Sequence, residues 1–188
     1  MSDGFLERVL CTGEDGTALS NSTTPTSILP SSRKFTLPSY FFDKVGKALK
    51  VRAAGRISTV VTTPGTLTLD LKLGSIVVAS SGAMTLNTTA QTNVGWLLEW
   101  ELICRSIGAG TAATLLAQGY WRSHAVIGAP APTAGGAAAH VLPYNAAPAV
   151  GNGFDATAAQ TVDLFATWSV ANASNSIQLH QFALDLFT

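Results

Sequence analysis

Glu99 and Glu101 stand two residues apart in the run WLLEWELIC (96–104), so on an extended strand both carboxylates project from one face. A carboxylate pair near tryptophans is the minimum equipment of a glycoside hydrolase, where one group donates a proton and the other attacks or activates water. The same alternation, however, sends Trp96 and Trp100 to the opposite face, where they serve a core. Two glutamates on a solvated strand are common, so no catalytic residue is expected and the chain is not expected to be an enzyme. His124, His140 and His180 have no His, Cys or carboxylate at metal-ligand spacing, and no metal site is expected. There is no nucleophile elbow of the Gly-x-Ser-x-Gly type. Val45-Gly46-Lys47 lacks the upstream glycine of a phosphate loop, and Gly108-Ala109-Gly110 lacks the third glycine of a dinucleotide fingerprint; both read as turns, and no cofactor is expected. Cys104 closes an apolar strand as a small buried hydrophobe, whereas Cys11 lies in a polar stretch, and their spacing leaves the question of a disulfide open.

The elements that must carry these residues are strands. Leu49, Val51, Ala53, Gly55 and Ile57 alternate with Lys50, Arg52, Ala54, Arg56 and Ser58, which places the first set toward a core and the second toward water or a partner. After a turn at Pro64-Gly65, Leu67, Leu69, Leu71 and Leu73 alternate with Thr68, Asp70 and Lys72, and Ile76 to Ala79 continues past Gly74 as a bulge or hairpin return. Trp96, Leu98, Trp100, Leu102 and Cys104 form the inner face of the next strand, and Gly108 to Gly110 turns the chain into a partner strand over 113–122. Val162, Leu164, Ala166, Trp168 and Val170 again keep period two. The final strand changes phase between Ile177/Leu179 and Phe182/Leu184/Leu186, which predicts a bulge near His180-Gln181. Seven or eight strands with no credible long helix predict an all-β, antiparallel β-sandwich, most simply a jelly roll.

Two segments fall outside this periodicity. Residues 1–34 are read as an extended N-terminal arm, because Gly16 to Ser32 is almost all Thr, Ser, Asn, Pro and small residues and buries too little to order itself. The sandwich domain then spans 35–188, opening on a short aromatic strand over 35–42. It contains a long Ala/Gly/Pro-rich insertion at 124–160, too long for an ordinary loop and therefore read as functional or partner-bound.

The chain has 188 residues, 11 basic and 11 acidic, for a formal net charge of zero. That balance leaves no electrostatic footprint for nucleic acid. The Lys44, Lys47, Lys50, Arg52, Arg56 series and the Arg33-Lys34 pair read as solvated strand faces. Charged residues make up 12 % of the chain, about half the share of an ordinary soluble domain, which points to an oligomer subunit or a protein that docks on a larger surface. No apolar run reaches membrane-spanning length, and the N-terminal stretch carries acids in place of an apolar leader core, so folding in the cytoplasm is expected. The sequons at Asn21, Asn87 and Asn172 are then chance matches. Tyr40, Tyr120, Trp121, Tyr144 and Phe154 lie at strand ends or in the insertion and are expected to be exposed. They would anchor a protein interface, or alternatively stack on sugar rings.

The segments GRIST (55–59), TLTLDLKLG (66–74), WLLEWELICRSIG (96–108) and ATWSVANASNSIQLHQFALDLF (166–187) resemble a class of small tailed-bacteriophage virion proteins. The resemblance covers the central and C-terminal two-thirds of the chain. It implies a jelly-roll subunit of the head decoration, or cement, type, which carries no catalytic residues. It would fold in the host cytoplasm, self-associate as a homotrimer and dock on the major capsid protein at the capsid surface. The candidate interface under that reading comprises Phe5, Leu6, Ile28 and Leu29 of the arm, which over Ser2 to Arg33 would clamp neighbouring subunits, together with Tyr40, Tyr120, Trp121, Tyr144 and Phe154. The alternative function is a tail-associated or receptor-binding module that recognises host glycan.

Overall fold

A computed structural model describes residues 6–11, 13–126, 139–151 and 153–187. Among these lie thirteen strands and no α-helix: β1 (Leu6–Cys11), β2 (Leu19–Ser20), β3 (Thr26–Ser27), β4 (Phe35–Leu37), β5 (Ala48–Thr59), β6 (Thr66–Leu73), β7 (Ile76–Ser80), β8 (Met84–Thr85), β9 (Gln91–Ser106), β10 (Thr114–Ser123), β11 (Ala139–Leu142), β12 (Gln160–Trp168) and β13 (Ser176–Phe187). They form two antiparallel sheets packed face to face, a β-sandwich. The wider sheet runs β1-β13-β5-β9-β10-β11, with β2 also on β13. The narrower runs β3-β12-β6-β7, with β4 on β12 and β8 on β6. The chain crosses between sheets from β5 to β6 and again from β12 to β13, so the pairs β5/β13 and β6/β12 are nested, and β9 and β10 continue on the far side of β5.

The core follows from the period-two pattern. Leu49, Val51, Ala53 and Ile57 of β5, the four leucines of β6, and Trp96 to Cys104 of β9 at every second position are all buried between the sheets. So are Val162, Leu164, Ala166 and Trp168 of β12. In β13 the register against β5 shifts between Leu179 and Gln181, and this bulge lets Ile177 and Leu179 face the same core as Phe182, Leu184 and Leu186. β7 returns along β6 as the hairpin that Gly74 makes feasible.

β9 has a further device. Its two inward tryptophans each lie directly across from a glycine, Trp96 from Gly55 on β5 and Trp100 from Gly119 on β10. A side chain at either glycine would collide with neighbouring backbone: with the Gln178 carbonyl at Gly55 and with the Glu99 carbonyl at Gly119. The indoles occupy the space that those glycines leave open. Trp96 also stacks on Trp121 of β10, with ring centroids 5.1 Å apart and planes within 15°.

The first 34 residues correct the expectation of an arm reaching for a neighbour. From Leu6 onward they wrap their own sandwich. β1 and β2 cover the outer edge of β13 and β3 covers the edge of β12, where β4 continues just beyond residue 34. The polar composition misleads because the segment is held by backbone ladders and a few anchors rather than by a periodic apolar face. Leu19, Ile28 and Leu29 are those apolar anchors, all buried. Polar ones accompany them: Ile28 donates its backbone N–H to the Leu164 carbonyl, Trp168 donates its indole N–H to the Leu19 carbonyl, and Ser27 and Lys34 both engage the buried Asp163 carboxylate at 2.6 Å. Deleting residues 1–30 is therefore expected to abolish folding, since three buried aliphatic side chains are worth about 2–5 kcal/mol each against a net stability of about 5–15 kcal/mol. Deleting 1–11 spares all three and should leave a folded protein; far-ultraviolet circular dichroism and urea titration of the two truncations check this.

Of the long insertion, residues 127–138, with Pro130 and Pro132, lie outside the described residues. The other described residues of 124–160 are built into the sandwich. β11 extends the wide sheet beyond β10, and isolated bridges pair Phe154 with Ala113 and Val150 with Leu116. The aromatic strand expected over 35–42 shortens to β4, because Pro38 and a left-handed Tyr40 (φ 60°) turn the chain away.

Candidate interaction face

The outward face of the wide sheet carries several charged side chains, and strand register dictates how they meet. Lys50 stands opposite Glu101 and Arg52 opposite Glu99 across the β5/β9 ladder, while Asp185 of β13 stands opposite Lys50. Glu99 collects the cations: its carboxylate lies 2.6 Å from Lys50 Nζ and 3.1 Å from Arg52 Nε. Tyr120, facing Glu99 from β10, adds a hydrogen bond from its hydroxyl. Burial pushes the Glu99 carboxyl up, but the hydrogen bonds from Lys50 and Tyr120 and the charges of Lys50 and Arg52 outweigh it, and the group sits below its ordinary value. A carboxyl held ionised in this way is unsuited to donating a proton itself.

At the sheet's edge Arg8 of β1 grips Asp185 through two guanidinium nitrogens, Nε at 2.8 Å and Nη2 at 3.3 Å. Asp185 is almost fully buried. Its carboxyl is lowered, first by the hydrogen bond from Arg8, against an opposing effect of burial, and then by the charges of Arg8, Arg52 and Lys50. Both carboxylates thus have folded-state values below their unfolded ones. Their contribution to stability is complete above the unfolded carboxylate range and disappears as pH falls through the lower folded values, that is, below about pH 4. The urea midpoint is expected to drop between pH 7 and pH 3, and to drop less in Glu99→Gln, which has no proton to gain at that position.

Between the ion pairs the face is apolar and shallow. Adjoining depressions of about 450, 390 and 690 Å³ run across it, sharing Ala54, Leu97, Glu99 and Tyr120 as walls. Leu97 is 52 % exposed and Val141 of β11 is 69 % exposed.

Five of the residues expected at an interface belong to the chain's own core. Ile28 and Leu29 are buried under β12, and Trp121 lies beneath the sheet on Trp96. Tyr144 is 9 % exposed, with its ring edge-on to His140, and Phe154 packs edge-on against Phe42. Position near a hairpin end or in a Pro-rich segment suggested exposure, but each is captured by the sheet beside it. Trp121 was detectable, since counting by twos from Leu115 makes it an inward residue. Tyr120 is half-buried on the outward face, and Tyr40 is 66 % exposed. Phe5 lies outside the described residues. Of Leu6 only the backbone, paired with Phe187, is described. Alternation along the strand places Leu97 on the outward face with Glu99 and Glu101, as found; sequence reasoning missed Val141 as an exposed apolar residue, and Arg8 and Asp185 as partners, because their meeting depends on β1 lying beside β13.

The two cysteines do not pair: Cys11 is exposed on β1 and Cys104 is buried on β9. No group of three or more His, Cys, Asp or Glu side chains among the described residues is placed to hold a metal ion. No helix there is long and apolar enough to cross a membrane.

In comparisons with known proteins, no family model and no curated sequence matches the chain.

Proposed function

We propose that this chain is a bacteriophage head decoration (cement) protein that binds the outer capsid shell as an oligomer, a homotrimer, and strengthens contacts between capsid subunits. The observation that carries the reading is the outward face of the wide sheet. It is broad and shallow, with Leu97 and Val141 exposed, and its central charges already paired as Lys50–Glu99–Arg52 and Arg8–Asp185. Those paired charges can be covered by another protein without being stranded, while the exposed Glu101 beside them calls for a donor or cation on the partner. The depressions of this face open onto solvent along the sheet. The low charged fraction and the resemblance of four strand segments to tailed-phage virion proteins support the same reading. Many identical weak contacts over a shell would sum to a large stabilisation.

The glycan-binding alternative needs open aromatic faces. Three half-buried rings have a cation over them, Lys47 over Phe41, Lys72 over Phe165 and Arg122 over Tyr120, which leaves the 66 % exposed Tyr40 as the open ring such binding would have to use. The deciding experiment is quantitative mass spectrometry of purified particles carrying this chain. A copy number approaching that of the major capsid protein is expected; a handful of copies per particle would overturn the decoration reading and favour a tail position.

A further inference from the structure

We propose that β1 is an exchangeable strand, which leaves the edge of its own β13 and pairs with β13 of a second copy when the protein self-associates. The inference rests on the oligomeric part of the reading above and adds how the subunits are joined.

β1 is held to the sandwich by β13 alone among the strands. Of its described side chains, Glu7, Arg8 and Cys11 are exposed and Leu10 alone reaches the core. Its register breaks between Arg8 and Leu10. A terminal strand paired on one side only, with a broken register, opens at a small fraction of the cost of global unfolding. The seat it leaves behind is demanding. β13 would present an unpaired edge, and the buried Asp185 would lose the guanidinium that grips it. Both are unfavourable, and a strand carrying an arginine in register with Asp185 removes both. A second copy of β1 is such a strand, with the same ladder and the same ion pair, so exchange sacrifices no contact.

The tether also fits. Asp15 and Gly16 stay fixed to β13: Asp15 Oδ1 lies 2.7 Å from His180 Nδ1, Gly16 donates its N–H to the Leu179 carbonyl, and Gln178 Nε2 donates to the Gly16 carbonyl. Residues 12–14 alone separate this anchor from β1. A short connection that straightens sends β1 outward and away from its own edge, the geometry that favours swapping between copies.

The register supplies a test. Cys11 stands opposite Ala183. In Ala183→Cys the two sulfurs face each other across an antiparallel pair, a separation that a disulfide spans, and the buried Cys104 does not compete. Light scattering on the unmodified protein comes first, followed by mild oxidation of the variant at the same concentration and a non-reducing gel. The expected result is an oligomer whose chains become covalently linked to one another. An oligomer whose disulfides are all within single chains would overturn the exchange and leave the oligomeric reading standing. A monomer at every concentration would overturn both. If no disulfide forms and both thiols still react with maleimide, β1 occupies neither seat and the inference fails.

Discussion

Gly119→Ala is expected to be among the most damaging single substitutions in this protein, although it adds one methyl group. The new Cβ would be driven into the Glu99 backbone carbonyl and to 2.6 Å from Trp100 Cδ1. Neither can retreat. The carbonyl belongs to a ladder in the middle of the wide sheet, and the indole is locked in the core. Overpacking costs about 1–3 kcal/mol where side chains can adjust; with backbone in the way, about 3 kcal/mol or more is expected, a large part of a typical net stability. Gly95→Ala is the control, since an added Cβ there meets nothing within 4 Å. Guanidinium midpoints should separate the two variants widely, and equal midpoints would remove the account of β9 packing its tryptophans over glycines.

Trp121→Ala comes second. Its ring is fully buried and stacked on Trp96, so truncation removes the largest class of core side chain together with an aromatic pair. The expected cost is about 3–5 kcal/mol for the cavity, with the stacking part worth about 0.5–1.5 kcal/mol. Tyr120→Ala, one residue away, loses a hydrogen bond to Glu99 and a contact with Arg122 at the surface, for about 1 kcal/mol. Neighbouring residues on opposite faces of one strand should therefore differ several-fold in chemical denaturation. Similar losses would mean that the inward and outward assignments on β10 are wrong.

The strands were legible wherever a face is buried continuously. β5, β6, β9 and β12 declare themselves by alternation, and β13 even announces its bulge, because one face cannot stay apolar across Leu179 and Phe182 without an inserted residue. The rest was hidden for two physical reasons. Short strands such as β2 and β3 contribute two residues each, too few for any period, and their order comes from ladders to strands more than a hundred positions away. Isolated anchors such as Phe154 and Tyr144 reach the core through single bridges and turns, which leave no repeat to read. The candidate face was half visible. Its alternating charges were plain in the sequence, but their pairing depends on register, and the hold of Arg8 on Asp185 depends on the N-terminal segment folding back.

The nesting of β5 with β13 also has a consequence for how the chain reaches its fold. Ala48 pairs with Phe187 and Ser58 with Ser176, so β5 waits for the whole intervening sequence before it gains its partner on that side. The β9–β10 hairpin can form early, yet β5 keeps one open edge until β12 and β13 arrive together. Closing that distance costs loop entropy before any contact repays it, which makes folding slow and leaves a long, β-prone edge exposed on the way. At high concentration the hazard for a newly made chain is pairing with another unfinished one, and refolding at rising concentration should favour aggregates nucleated on β5.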